Sequence, residues 1–82
     1  MWSVYFLKSD KKEWYYVGST NRLNTRIKEH NQGKVDSTRA MRPLRLVYTE
    51  EFFSENEARN REQQLKHKRV AKEEIIRQIE NQ

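Results

Sequence analysis

Two short runs of strand-forming residues near the start of the chain limit its fold more than any other feature. WSVYFL (residues 2–7) and WYYVGS (residues 14–19) are rich in aromatic and β-branched residues, which favour strands. The polar stretch KSDKKE between them carries Asp10 near its centre, which is typical of a hairpin connection. The chain is therefore predicted to begin with two antiparallel strands.

Hydrophobic spacing predicts a helix after this hairpin. Three residues recur at helical intervals: Leu23, Ile27 and His30. Thr20 or Asn21 can cap the start of the helix, and Gly33 stands where a C′ glycine is expected. We expect the helix to run from about 21 to 32, followed by a polar, basic loop to Pro43.

Strand-like alternation then returns in LRLVYTEEF (residues 44–52). This alternation predicts a third strand, with one face formed by Leu44, Leu46 and Tyr48.

The last third of the chain is predicted to be helical. Ser54 followed three residues later by Glu57 is a capping box, and it opens a helix over about 55–68. A further amphipathic helix is indicated by the spacing of three residues: Ala71, Ile75 and Ile79. The predicted fold is α+β, a three-stranded, mostly antiparallel sheet flanked by helices in the order ββαβαα.

Size and composition narrow the class of protein. A chain of 82 residues is expected to form one domain, residues 1–82, with a small core. It has no cysteine, so disulfides and thiolate metal sites are excluded. No apolar run approaches the roughly 18 residues of a membrane helix, and no export signal is visible. We expect a soluble, cytoplasmic protein that does not bind membranes.

The positive charge is concentrated in the middle of the chain. The net charge is +5, and residues 20–46 alone hold seven basic and two acidic residues. Such a segment attracts a phosphate backbone, although a solvated basic surface explains it equally well.

Glu62 is unexpected, because it lies between Ala58 and Leu65 on the predicted inward face of its helix. A buried carboxylate without a partner costs several kcal/mol. The partner is either a nearby arginine, which would make the pair structural, or a metal ion.

Arg26 and His30 lie one turn apart on the first helix, so their side chains can reach one spot. A guanidinium matches phosphate oxygens and an imidazole can relay a proton. Two phenols, Tyr5 and Tyr16, come from neighbouring strands and can share a sheet face. A phenol acts as a base only if nearby cations lower its pKa from about 10.

These residues together resemble the GIY-YIG nuclease domain, in particular its small standalone members. The resemblance lies in the order and spacing of five segments: SVY (3–5), YVG (16–18), RIKEH (26–30), RPLRLVY (42–48) and the AxxxE pattern that ends at residue 62. Ser3 replaces the first glycine of the signature, and an asparagine that larger members carry after the metal glutamate has no clear counterpart.

The resemblance implies a metal-dependent endonuclease that hydrolyses phosphodiester bonds of DNA with Mg²⁺ or Mn²⁺. It implies five catalytic residues: Tyr5, Tyr16, Arg26, His30 and Glu62. Glu62 would hold the metal, and Gly18 would let the backbone pass close to its neighbour. Tyr15 is expected on the opposite face of the strand, where it would pack.

Nucleic-acid contacts are predicted at five basic residues: Lys28, Lys34, Arg39, Arg42 and Arg45. Single-stranded, branched or damaged DNA would be the substrate, with little sequence specificity; a homodimer or a partner protein that supplies specificity stays open. The alternatives are a nucleic-acid-binding module without catalysis and a protein interaction module that docks through the last helix.

Overall fold

The chain begins with the expected hairpin. In a computed structural model that describes residues 1–82, β1 (Trp2–Ser9) pairs antiparallel with β2 (Tyr15–Thr20). The register places Tyr5 opposite Gly18 and Leu7 opposite Tyr16. This register brings a large phenol against a residue without a side chain.

The full order of elements is the predicted ββαβαα. A third strand, β3 (Leu44–Phe52), pairs antiparallel with the other edge of β1, so the sheet order is β2-β1-β3. The helices are α1 (Leu23–Asn31), α2 (Glu55–His67) and α3 (Arg69–Glu80). A single 3-10 turn, Arg39–Met41, lies within the loop before β3.

Each face of the sheet carries its own hydrophobic cluster. On one face, strand residues pack with α2 and α3 around six buried side chains: Val4, Phe6, Val17, Ala58, Leu65 and Ile75. On the other face, α1 contributes Leu23 and Ile27 to a smaller cluster around Tyr5, Leu7 and Leu44. The molecule therefore has three layers, with the sheet between α1 and the α2–α3 pair.

The predicted alternation of side chains along β3 is wrong, because β3 contains a β-bulge. Phe6 pairs with Tyr48 but the next residue of β1, Leu7, pairs with Leu46, so Val47 is an extra residue in β3. One extra residue reverses the alternation beyond it. Leu44 consequently belongs to the α1 cluster, whereas Tyr48 packs in the α2–α3 cluster.

Two of the three helix ends predicted from the sequence are confirmed, and one is wrong. Ser54 accepts a hydrogen bond from the backbone N–H of Glu57 (3.2 Å), which confirms the capping box. Gly33 has φ +82° after the end of α1, as expected of a C′ glycine. The predicted cap of α1 is wrong: its N-cap is Arg22, without a side-chain cap, because Thr20 accepts its hydrogen bond from the Arg22 N–H.

The third helix lies where it was expected. Ile75 is buried, and Ala71 and Ile79 pack against the same cluster. None of the helices is both long enough and apolar enough to cross a bilayer.

Candidate active site

A buried chain of hydrogen bonds links the sheet, α1 and the basic loop. The Tyr5 hydroxyl lies 2.9 Å from His30 Nε2, and His30 Nδ1 lies 2.8 Å from the Thr38 hydroxyl oxygen. All three side chains are almost completely shielded from solvent. Tyr5 comes from the central strand, His30 from the last turn of α1 and Thr38 from the loop before β3.

The surroundings of Thr38 fix the tautomer of His30. The Thr38 hydroxyl also lies 3.4 Å from the Val35 carbonyl oxygen, and only a hydroxyl hydrogen can serve that acceptor. The Thr38 oxygen therefore accepts from His30 Nδ1–H, which leaves a lone pair on Nε2. Tyr5 donates its hydroxyl hydrogen to that lone pair.

His30 is neutral in this position. Burial, and then the positive charge of Arg26, lower the pKa of His30 to about 4, although Glu29 opposes the shift. The imidazole thus has an available acceptor nitrogen throughout the neutral pH range.

The pKa of the Tyr5 phenol is raised in the protein alone. Burial, and next the neighbouring Tyr16, raise the pKa of Tyr5 above its ordinary value of about 10, and Arg26 only partly opposes them. In the protein alone, therefore, Tyr5 is a neutral phenol that donates to His30. Arg26 alone, a partly exposed guanidinium, does not outweigh complete burial, so a lowered pKa at Tyr5 would need further cations.

Arg26 reaches the same site from one turn earlier in α1. Its guanidinium is 38% exposed and forms an ion pair with Glu29 Oε1 at 3.1 Å. Hydrogen bonding to Glu29 is the main reason that the pKa of Arg26 is raised, and Tyr5 adds to it. The spacing of Arg26 and His30 along α1 brings both to Tyr5, as the sequence indicated.

Tyr16 stands beside this chain with its hydroxyl free of partners within the protein. Its ring centroid lies 5.0 Å from that of His30 and 6.3 Å from that of Tyr5. Tyr15 takes the other face of β2, where it packs in the α2–α3 cluster and its hydroxyl bonds Glu80 at 3.1 Å. The structure thus brings the two signature phenols together and separates Tyr15 from them.

Gly18 is required by the position of the Tyr5 ring. A Cβ atom at Gly18 would lie 2.6 Å from the Tyr5 hydroxyl oxygen and 2.7 Å from Cζ. Side chains do not approach each other so closely, and Tyr5 cannot move aside because His30 holds its hydroxyl.

Glu62 approaches the site from α2, on the other side of the sheet. Its side chain is 14% exposed, and Lys66 Nζ lies 2.7 Å from Oε2. The Ser19 hydroxyl bonds the second oxygen, Oε1. The Lys66 ammonium also stands 5.5 Å from the centroid of the Tyr16 ring, within the range of a cation–π contact. Glu62 is thus paired with a lysine and a serine, and not with an arginine, which was one of the two partners that the sequence left open.

A divalent cation fits Glu62 only as an ion that keeps most of its waters. No group of three or more His, Asp or Glu side chains is arranged to hold a metal. A single carboxylate is a hard oxygen donor of the kind that Mg²⁺ accepts together with waters and phosphate oxygens. Glu62 has that chemistry and faces partly to solvent.

The five basic residues predicted to contact nucleic acid do not form one patch. Arg39 and Arg42 line an open cleft of ≈ 930 Å³ together with Lys11. Arg39 is held by Asp36 and the Gly33 carbonyl, and Arg42 by the Arg39 carbonyl. This cleft, the largest of the molecule, contains none of the five predicted catalytic residues.

The remaining basic residues lie elsewhere on the surface. Lys28 and Lys34 are exposed but do not line this cleft, and Arg45 is paired with Asp10 at 3.2 Å.

Three residues of the site were missed by sequence reasoning: Ser19, Thr38 and Lys66. The i, i+4 spacing of Glu62 and Lys66 on α2 was a usable signal, since such pairs bond along a helix. Thr38 had no signal, because its contact with His30 depends on the path of an irregular loop.

A family model described as the GIY-YIG catalytic domain matches residues 1–74. The chain belongs to the GIY-YIG family. The match spans both strands of the hairpin, α1, β3 and α2, and therefore every residue of the site described above.

Similar proteins are small and carry names that state no activity. A UPF0213 protein of Clostridium perfringens, CPE1444, is 47% identical over 64 residues, which cover 77% of this chain and 68% of that protein. The UPF0213 protein YazA of Bacillus subtilis is 38% identical over 63 residues, covering 76% of this chain and 63% of YazA. This GIY-YIG chain thus aligns with about two thirds of the length of these relatives.

A solved structure supports the fold. The solution structure of the UPF0213 protein BH0048 from Bacillus halodurans is 38% identical and superposes with a TM-score of 0.57. The match covers 93% of this chain and 83% of BH0048. The α+β fold with a three-stranded antiparallel sheet is therefore that of a known GIY-YIG-like neighbour.

Proposed function

We propose that this GIY-YIG domain is a metal-dependent endonuclease that hydrolyses phosphodiester bonds of DNA, selecting strand structure more than sequence. The observation that carries the proposal is the buried hydrogen bond from Tyr5 to a neutral His30 beside Arg26. A purely structural pair would not need a guanidinium and a second phenol, Tyr16, around it.

In this mechanism Tyr5 and His30 act together as the base. An attacking water gives a proton to the Tyr5 oxygen while the Tyr5 proton passes to His30 Nε2, 2.9 Å away. The water oxygen forms the new bond to phosphorus, and the bond to the 3′ oxygen breaks. Tyr5 never becomes a free phenolate, so its raised pKa is no obstacle. The negative phosphate would raise the pKa of His30 and favour the transfer.

Arg26 stabilises the charge that develops on the phosphoryl oxygens. Its guanidinium is partly exposed and oriented by Glu29, so it is available to a substrate. A preorganised donor of this kind is typically worth about 10²-fold or more in rate. Tyr16, whose hydroxyl has no partner in the protein, would orient the water or a phosphate oxygen.

Glu62 would hold Mg²⁺ or Mn²⁺, which supplies Lewis-acid stabilisation of the leaving oxygen when bound. The protein side of this site is one carboxylate on α2, oriented by Ser19.

The test is cleavage of labelled single-stranded, duplex, flap and junction DNA with Mg²⁺, with Mn²⁺ and with EDTA. Glu62→Ala and Arg26→Ala should abolish metal-dependent cleavage and keep the fold. Glu74→Ala and Arg77→Ala remove the same charges from exposed positions of α3 and should cleave like wild type. Full activity in the Glu62 or Arg26 variant would refute the assignment.

Nucleic acid would contact the cleft lined by Lys11, Arg39 and Arg42, whose cations would bind backbone phosphates. Affinity should then fall steeply with salt, and Arg42→Gln should reduce the slope of log K against log salt by about 1. Arg77→Gln is the charge-matched control. Binding that is insensitive to salt would contradict this path.

A nucleic-acid-binding module without catalysis is the second candidate. It is favoured by the occupation of both Glu62 oxygens, by Ser19 and by Lys66. Salt-sensitive binding together with no cleavage of any substrate, with either metal, would establish it in place of the enzyme.

A further inference from the structure

Lys66 connects the two parts of the site that come from opposite sides of the sheet. Its ammonium lies 2.7 Å from Glu62 Oε2 and 5.5 Å from the Tyr16 ring centroid. Glu62 and Tyr16 are the carboxylate and one of the phenols on which the proposed nuclease depends. A lysine that only stabilised α2 through an i, i+4 pair would have no need to lie over Tyr16.

The Lys66 ammonium is itself a cation bound to Glu62. Ser19 donates to Oε1 and Lys66 donates to Oε2, so each oxygen of this largely buried carboxylate already accepts one hydrogen bond. An ammonium and a divalent ion on the same carboxylate would repel each other. Binding of a divalent ion at Oε2 would therefore be opposed while the ammonium stays there.

We propose that Lys66 is a resident cation that competes with the divalent metal for Glu62 and, once displaced, moves onto a phosphate oxygen of the substrate. This inference rests on the proposed nuclease function. The side chain is 37% exposed and sits on a long flexible stem, so it can leave Glu62 without disturbing the core. Lys66 thereby keeps the carboxylate neutralised while the site is empty.

The competition lowers the apparent affinity of the metal. The metal must bind the fraction of molecules in which the pair is open, and apparent affinity falls in proportion to that fraction. A partly exposed pair reinforced by a cation–π contact is expected to raise the metal dissociation constant about three- to tenfold.

The experiment is a Mn²⁺ titration of the whole chain, followed by paramagnetic broadening of amide signals around residues 19 and 62. Lys66→Met keeps an apolar stem and removes the cation, and it should bind Mn²⁺ about three- to tenfold more tightly than wild type. Cleavage by this variant should nevertheless be slower at saturating metal, because the phosphate contact is lost. Tighter binding with faster or equal cleavage would overturn the second half of the proposal.

Two variants control for fold and charge. Lys66→Arg restores a cation at Glu62 and should bind Mn²⁺ as weakly as wild type. Lys12→Met removes one positive charge from the exposed hairpin connection and should leave the dissociation constant unchanged. Amide spectra of each variant establish that it is folded.

The outcomes separate this proposal from the nuclease itself. If wild type and Lys66→Met bind Mn²⁺ at Glu62 equally well, the competition is refuted and the metal site stands. If neither broadens the signals around Glu62, the metal assignment and the competition both fail. If Mn²⁺ broadens the signals around Glu62 in Lys66→Met but not in wild type, Lys66 excludes the metal from Glu62 completely under these conditions, which supports the competition.

Discussion

The depressed pKa of His30 makes the stability of the protein depend on pH in a defined window. Burial, and then Arg26, lower this pKa from 6.5 in the ordinary case to about 4 in the folded protein. Between these values the unfolded chain binds one proton more than the folded chain. The contribution of His30 is therefore fully present above pH 6.5 and is lost as the pH falls toward 4.

The size of the effect follows from linkage. The free energy of unfolding should decrease by about 2 kcal/mol between pH 7.5 and pH 5 because of this one residue. The residue is fully buried and its two ring nitrogens are both engaged, by Tyr5 and Thr38, so a proton on Nε2 would also break the bond from Tyr5.

Urea unfolding followed by circular dichroism at pH 7.5, 6.5, 5.5 and 5.0 measures the loss. His30→Gln cannot titrate, so the difference in unfolding free energy between wild type and this variant should shrink by about 2 kcal/mol over the range. His67→Gln, which removes an exposed histidine, should keep the wild-type slope. Parallel curves for wild type and His30→Gln, or a His30 imidazole that titrates near pH 6.5 by NMR, would refute the reasoning.

Two further substitutions test the framework that holds the site. Gly18→Ala places a methyl group 2.6 Å from the Tyr5 hydroxyl oxygen. It should lower the free energy of unfolding in urea by about 1–3 kcal/mol and shift the NMR signals of the His30 ring. Unchanged His30 signals would contradict the close packing of Tyr5 against Gly18. Asn31→Ala removes both 2.8 Å bonds between the Asn31 side chain and the Leu44 backbone, and it should cost about 1–3 kcal/mol in the same assay. Asn24→Ala, at an exposed position of the same helix, should lower the free energy of unfolding much less. Equal losses for the two variants would contradict a stabilising role of the bonds between Asn31 and Leu44.

The sequence predicted those parts of the fold that depend on local chemistry. The hairpin, the capping box at Ser54 and the glycine after α1 each follow from a few adjacent residues, and the structure confirms them. Helical spacing predicted that Arg26 and His30 reach one spot, and the resemblance to GIY-YIG domains implied that Tyr5 belongs to the same site.

The errors arose where the structure depends on contacts between distant segments. The bulge at Val47 is set by how β3 fits β1, and no residue of β3 signals it. The raised pKa of Tyr5 depends on complete burial under α1, which residue types alone do not give. Thr38 reaches His30 only because of the path of the loop before β3, and Glu62 bonds Ser19 only because α2 crosses β2.

Because β2 is an edge strand, the site depends on the part of the sheet with the fewest neighbours. Tyr16 and Ser19 lie on this strand, and it is bonded along one side only, to β1. An edge of six residues can detach for brief periods while β1, β3 and the helices stay folded. Each such opening would part Tyr16 from His30 and Ser19 from Glu62 at the same moment. Opening of this one strand would therefore take both residues out of the site together, and amide hydrogen exchange along residues 15–20 would measure how often it occurs.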